Sequence, residues 1–311
     1  VSRGLGDVYK RQGAIVKGRI IQDMRPVLSL LFTATFWGVV WYPLRLLEQA
    51  GLSGSWQMLV SYVAAIATLL LVRRPVLAGM AEHVFKLVVL ALAAGWTNVG
   101  FVLAMLDGTV ARALMLFYLS PLWTVILGHW ILGERLARVT IITLPLGLVG
   151  TLMMIWEHEV GSLWSLSMAD GIAISAGLAF AVTNIYTRDL QMLGVRQKTL
   201  ASWVGVILVS IITLVLLGEP LPTVTAAAWI GSAALGVFGF FLATLAVIYG
   251  VTHMPVQKSA VILLVEILVG ALSAWLLAGE MLTLQEWLGG LLILTAGFIA
   301  AITENTGEQY G

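Results

Sequence analysis

One carboxylate stands where a charge is costly. Glu266 lies about ten residues into an apolar stretch at 256–278, with Leu263, Leu264, Leu268 and Val269 around it. If that stretch crosses a bilayer, an ionised side chain near its middle costs at least ~2.5 kcal/mol. Glu266 must then face a polar cavity, pair with a partner, or carry a proton. Two chemistries suit it, proton uptake and release or the holding of a cationic group. The structural alternative is a carboxyl satisfied by a hydroxyl or amide of a neighbouring helix.

Four tryptophans lie well inside apolar stretches. Trp37 and Trp41 are four residues apart, so on a helix they share one face. With Trp96 and Trp123 they can stack on an aromatic or cationic ligand, or simply pack. Asn98, Ser120, Thr124, Thr183, Asn184 and Tyr186 are polar groups in similar places. In a membrane such groups bridge helices or line a cavity. Arg45 and Arg112 lie at stretch ends, where snorkelling to the surface is the ordinary role. Arg112 is also a candidate for a ligand carboxylate, with Asp107 as its rival partner. Pro121 cannot donate to the carbonyl of Phe117 and so marks a helix break.

Other chemistry lacks its residues. The chain has no cysteine, and His129 and His253 are isolated, without metal-ligand spacing. HExxH, GxSxG and a phosphate-binding glycine loop are missing, so neither an enzyme nor nucleotide-driven work is indicated, and no cofactor is expected. A net charge of +1 gives no reason to expect a nucleic-acid partner.

The elements that must position these residues are apolar helices. Of 311 residues, 60% are hydrophobic and 11% charged, and the mean hydropathy is +0.98. A water-facing surface needs about a quarter of the residues charged, so the solvent here is lipid. Crossing a bilayer takes roughly 20 helical residues. Stretches of that length run near 26–48, 55–72, 84–106, 110–132, 138–156, 169–188, 199–217, 228–250, 256–278 and 283–303. The reading is therefore all-α, with ten transmembrane helices. With the amino terminus cytoplasmic, the inner segments hold Arg25, Arg73, Arg74, Lys86, Arg135, Arg138, Arg188, Arg196, Lys198 and Lys258, against only Arg45 and Arg112 outside. That bias places both termini in the cytoplasm. Trp56, Trp130, Trp156, Trp164, Trp203, Trp229, Trp275 and Trp287 fall near stretch ends and read as interfacial anchors.

The chain also divides. Leu132–Gly133–Glu134–Arg135–Leu136 closes the fourth stretch and Ala278–Gly279–Glu280–Met281–Leu282 the ninth, 146 residues on; Tyr42 and Tyr186 are 144 apart. Two halves follow, 24–157 and 158–311, each with five crossings. An odd number makes the repeat inverted and points to a midplane site between the halves. Residues 1–23 are set aside as a non-native or disordered extension. Val1–Gln12 resembles translated adapter sequence, Met24 is the better start, and no cleaved signal peptide is expected.

Tyr118-Leu-Ser-Pro-Leu-Trp123 followed by Leu132-Gly-Glu-Arg-Leu136 resembles the fourth span of EamA-type carriers of the drug/metabolite transporter superfamily. Leu264-Val-Glu-Ile-Leu268, Ala274-Trp-Leu-Leu-Ala-Gly-Glu280 and Glu286-Trp-Leu-Gly-Gly290 resemble the ninth span and the start of the tenth. The family's proline after the ninth-span Glu is Ile267 here, so only the first half carries a proline signal for a break. The resemblance implies a secondary active carrier in the inner membrane, exporting amino acids or related small metabolites by alternating access. Its cavity would be lined from spans one, three, four, six, eight and nine, making Tyr118 a further candidate, and the carrier would be a monomer or homodimer. A receptor or scaffold subunit, and less so an intramembrane enzyme, are the alternatives.

Overall fold

The computed structural model describes residues 2–72, 77–107, 113, 116–134, 136–155, 167–279 and 283–303, with backbone alone at 2–23, 105–107, 155 and 278. Among these residues the fold is entirely helical. In order come α1 (Ser2–Gln49), α2 (Gly54–Val72), a 3-10 turn at Ala81–His83, α3 (Val84–Asp107), α4 (Ser120–Leu132), α5 (Arg138–Ile155), α6 (Met168–Asp189) and α7 (Val195–Leu217). Then α8 (Ala226–Ala234) passes through a π turn (Leu235–Phe240) into α9 (Phe241–Thr252), and α10 (Val256–Leu263), α11 (Val265–Ala278) and α12 (Leu284–Ile302) complete the chain.

Among the described residues eight segments are long and apolar enough to cross a membrane: Met24–Gln49, Gly54–Val72, Ala81–Ala104, Met168–Asp189, Val195–Leu217, Ala226–Thr252, Val256–Leu277 and Leu284–Ile302. Two shorter apolar helices run at Ser120–Leu132 and Arg138–Met154. The surface confirms the solvent. Leu71, Phe85, Phe238, Leu276 and Phe298 are all largely exposed on different helices, an arrangement water would penalise and lipid does not. The protein is a multi-pass membrane protein.

Local chemistry sets the ends. Gly133, Gly218 and Gly279 close α4, α7 and α11 in the left-handed conformation, with φ of 67°, 63° and 73°, which a residue with a Cβ rarely adopts. Ser167 with Asp170, and Thr283 with Glu286, form capping boxes that satisfy the first free amides of α6 and α12.

The halves interlock. The largest helix interfaces all cross between them: α1 packs on α9 and α11, and α6 on α3 and α4; α2 packs on α8 and the π turn, and α3 on α7. Exchanging the halves leaves this pattern unchanged. Equivalent helices also meet each other, α2 with α7, α4 with α10 and α5 with α12. In the last pair Gly147 lies by Ala296, Gly150 by Ile293 and Met154 by Gly289, so the two run antiparallel. Small residues permit the crossings. A Cβ on Gly205 would fall 1.8 Å from the carbonyl oxygen of Ala91, and one on Gly236 2.0 Å from that of Ser61.

Trp203 corrects the sequence reading. It is 0% exposed, packed with Tyr62, Val206 and Phe240 and 5.7 Å from the ring of Phe241. Its nearness to a helix end suggested an anchor, but α2 and the π turn cover that face of α7. Trp130, Trp275 and Trp287 are exposed at helix ends as anchors should be. Trp156 and Trp164 lie outside the described residues.

Candidate functional site

Two interrupted helices meet between the halves. Leu116 and Phe117 are helical, Tyr118 and Leu119 form a turn, and α4 starts at Ser120. Pro121 supplies the cause, since it has no N–H for the carbonyl of Phe117. Leu122 and Trp123 both donate to the carbonyl of Leu119 instead, at 3.0 and 3.2 Å. In the second half α10 stops at Leu263 and α11 begins at Val265. Leu264 donates to Val261 at 3.2 Å and Ile267 to Leu264 at 3.1 Å, tight three-residue bonds that interrupt the α pattern. The second break therefore exists without the proline that Ile267 replaces.

A glycine on a facing helix accommodates each break. A Cβ on Gly38 of α1 would lie 2.8 Å from the carbonyl oxygen of Glu266, and one on Gly177 of α6 2.6 Å from that of Phe117. The freed carbonyl of the proline break thus lies directly against α6.

Across the junction the hydroxyl of Tyr118 donates a hydrogen bond to the carboxylate of Glu266. Tyr118 is buried with Phe117, Ala176, Leu264, Ile267 and Leu268, and Glu266 is half-buried. The carboxylate is thus paired with a hydroxyl from a neighbouring helix, in surroundings otherwise apolar and aromatic. Phe117 lies 4.8 Å from the ring of Phe101, 5.7 Å from Tyr118 and 5.8 Å from Phe180. A second aromatic group gathers Phe36, Trp37, Tyr62 and Phe240, with ring separations of 5.2 to 5.8 Å. Phe36 and Phe180 occupy equivalent helices and are 144 residues apart, the spacing of Tyr42 and Tyr186.

The other candidates divide. Trp41 donates through Nε1 to Ser273 Oγ at 2.7 Å, and Ser273 donates to the carbonyl of Gly38 at 2.7 Å, tying α1 to α11 beyond Glu266. Trp96 donates to Ser175 Oγ at 3.0 Å. Asn98 accepts from Tyr62 at 3.0 Å and donates to its own helix at Ala94. Thr124 and Thr183 bond back to their own helices. Trp123 Nε1 and Asn184 Nδ2 are buried donors with no partner among the described residues, on α4 and α6, which pack together. Leaving such a donor unpaired costs about 1–3 kcal/mol, so each can gain by meeting a ligand. Tyr186 is not with them; it packs among Leu87, Leu90, Leu190 and Leu193 at one end of the bundle. Arg45 is exposed and lies over the ring of Trp41 at 5.6 Å. Arg112 lies outside the described residues. No cluster of three metal-ligating side chains occurs among the described residues.

Sequence reasoning missed Tyr62, Ser175 and Ser273. Ser273 carried a signal, because seven residues is close to two helical turns and places it on the face of Glu266.

A family model of EamA-like transporters matches residues 24–156 and again 164–302, so the repeat and most of the chain are covered. A relative from Archaeoglobus fulgidus named as an uncharacterized transporter is 26% identical over 205 residues, 66% of this chain and 72% of that one. A solved crystal structure superposes with a TM-score of 0.73 over 92% of this chain and 99% of its own, at 16% identity, a likeness of fold alone.

Proposed function

The chain belongs to the EamA-like transporter family, and we propose that it is a secondary active carrier exporting amino acids or related small metabolites by alternating access. The proposal includes ten membrane crossings, both termini in the cytoplasm, a second half inverted relative to the first, and a place in the cell inner membrane. The two shorter helices at Ser120–Leu132 and Arg138–Met154, added to the eight long ones, support that count. The antiparallel run of α5 and α12 supports the inversion.

The observation that carries the reading is the link between Tyr118 and Glu266. It joins the two interrupted helices, one from each half, where an inverted-repeat carrier puts its substrate. A carboxylate beside aromatic rings suits an ammonium group, through ion pairing and cation–π attraction. The same carboxylate can take a coupling proton. Trp123 Nε1 and Asn184 Nδ2 supply donors for the carboxylate end of an amino acid. A neutral polar substrate would leave Glu266 without a counter-charge.

The test is flux. Purified protein in liposomes is loaded with a panel of radiolabelled amino acids and related amines, and release is followed with and without a pH gradient. Transport of at least one member, lost in Glu266→Gln, is expected. Specific binding with no flux of any member would favour the receptor reading instead.

A further inference from the structure

We propose that Glu134 and Arg188 form a latch that holds the short helix α10 closed at one end of the bundle, and that its release is a step of the transport cycle. The inference rests on the alternating-access reading only for its consequence, a path to Glu266.

The latch is built from helix ends. Gly133 turns out of α4 in the left-handed conformation, and the next residue, Glu134, reaches the second half. One of its carboxylate oxygens takes Arg188 Nε at 3.4 Å; the other accepts from the backbone N–H of Val256 at 3.2 Å. Val256 is the first residue of α10, where amides have no partner within the helix and an anion is favoured. Arg188 also donates through Nη1 to the carbonyl of Thr252, the last residue of α9, at 2.7 Å. Residues 253–255 are thus clamped on both sides, by Arg188 before and Glu134 after.

A fully buried lysine supports the clamp. Lys198 donates to the carbonyl of Thr187 at 2.9 Å and to Thr252 Oγ1 at 2.6 Å. Beneath it the start of α10 presses on α4, where a Cβ on Gly128 would lie 2.8 Å from Val256 Cγ2.

The lever is α10 itself. It is eight residues long, held at Val256 by Glu134 and ended at Leu264 by the break. Glu266 is the second residue of the helix that follows. A tilt of α10 about Leu264 would open this end of the bundle and carry its motion to the Tyr118–Glu266 link.

A neighbouring ion pair provides the control. Lys86 and Asp189 meet at 2.7 Å on the same end, but their side chains are 44% and 26% exposed, against 16% and 17% for Arg188 and Glu134. Exposed pairs contribute little, whereas a half-buried pair that also caps a helix loses much when one partner goes.

The chain has no cysteine, so single reporters need no background removal. Ser259→Cys sits on α10 at a fully buried position, and Ala271→Cys sits on α11 beyond the break. Each is labelled in sealed vesicles with a membrane-impermeant maleimide applied to one face and then to the other. Glu134→Gln is expected to raise labelling of Ser259→Cys roughly tenfold from the latch face, as loss of a charged hydrogen bond shifts the open population, and to lower that of Ala271→Cys from the opposite face. Lys86→Gln is expected to change neither, and Arg188→Gln, the second variant should Glu134→Gln fail to fold, is expected to behave as Glu134→Gln. A rise at Ser259→Cys with Ala271→Cys unchanged upholds the latch while counting against alternating access. Unchanged labelling at Ser259→Cys, or an equal rise from both faces at both reporters, overturns the latch.

Discussion

Tyr118 and Glu266 hydrogen-bond across the boundary between the halves, each within two residues of the point where its own helix is interrupted. A polar link at that place ties the two interrupted helices to each other. The carboxylate depends on Tyr118, and Tyr118 depends on the break made by Pro121.

Removing one partner should separate binding from coupling. Tyr118→Phe deletes the donor and leaves the carboxylate, so transport is expected to persist with an affinity changed about tenfold, equal to about 1.4 kcal/mol, close to the low end for a hydrogen bond to a charged group. Glu266→Gln keeps a hydrogen-bonding group of the same shape and removes both the charge and the proton site. Flux driven by a pH gradient is expected to vanish in it, while exchange of substrate survives if the proton alone is at stake. Measuring both modes in liposomes checks the assignment; an unchanged pH profile in Glu266→Gln would end the coupling role.

The glycines against the breaks should be intolerant. Gly177→Ala drives a methyl to 2.6 Å from the carbonyl oxygen of Phe117, and Gly38→Ala one to 2.8 Å from that of Glu266. Backbone cannot yield as a side-chain tip does, so each is expected to destabilise by about 1–3 kcal/mol. Gly171, on α6 with open space at its Cβ position, is the control. Gly171→Ala should be neutral or stabilising by up to ~1 kcal/mol through helix propensity. Thermal unfolding in detergent reads all three.

Much of this was legible in the residues. Apolar length gave the helices, because lipid leaves a backbone no alternative partner, and Glu266 stood out because a lone carboxylate in such a stretch needs a reason. Pro121 announced the first break through its missing N–H. The break at Leu264 was not legible, since Ile267 can donate and the break shows only in the folded backbone, through its three-residue bonds and the approach of α1 at Gly38. Tyr186 matched Tyr42 in spacing yet points to the end of the bundle, because a repeat offset fixes the helix and not the neighbour. Glu134 was visible only as part of a repeated motif; its partners Arg188 and Val256 lie 54 and 122 residues away, and no pattern along the chain connects them.

Thr252 should matter more than a hydroxyl that merely bonds to its own helix. Its Oγ1 accepts from the buried ammonium of Lys198 at 2.6 Å while donating to Ile248. Thr252→Val conserves shape and removes that acceptor, leaving a buried cation short of a partner, at an expected cost of about 1–3 kcal/mol. Among the described residues Thr68 bonds only to the carbonyl of Ala64, so Thr68→Val is expected to change stability by less than ~0.5 kcal/mol. Comparable shifts in unfolding temperature for the two would show that Lys198 finds another acceptor.

Trp203 tests the interior against the interface. As an anchor it would lose an indole–headgroup contact in Trp203→Phe and behave like Trp130→Phe at an exposed helix end. Buried as it is, its Nε1 has no partner among the described residues, so phenylalanine removes an unsatisfied donor along with part of the ring. The two effects oppose each other, and Trp203→Phe is expected within about 1.5 kcal/mol of the parent. Trp203→Ala vacates the space between Tyr62, Phe240 and Phe241 and is expected to cost about 3–5 kcal/mol. Trp130, 76% exposed, should tolerate both changes. A small loss in Trp203→Ala, matched by Trp130→Ala, would mean that lipid and not protein surrounds the ring, and the packing of α7 on α2 would have to be redrawn.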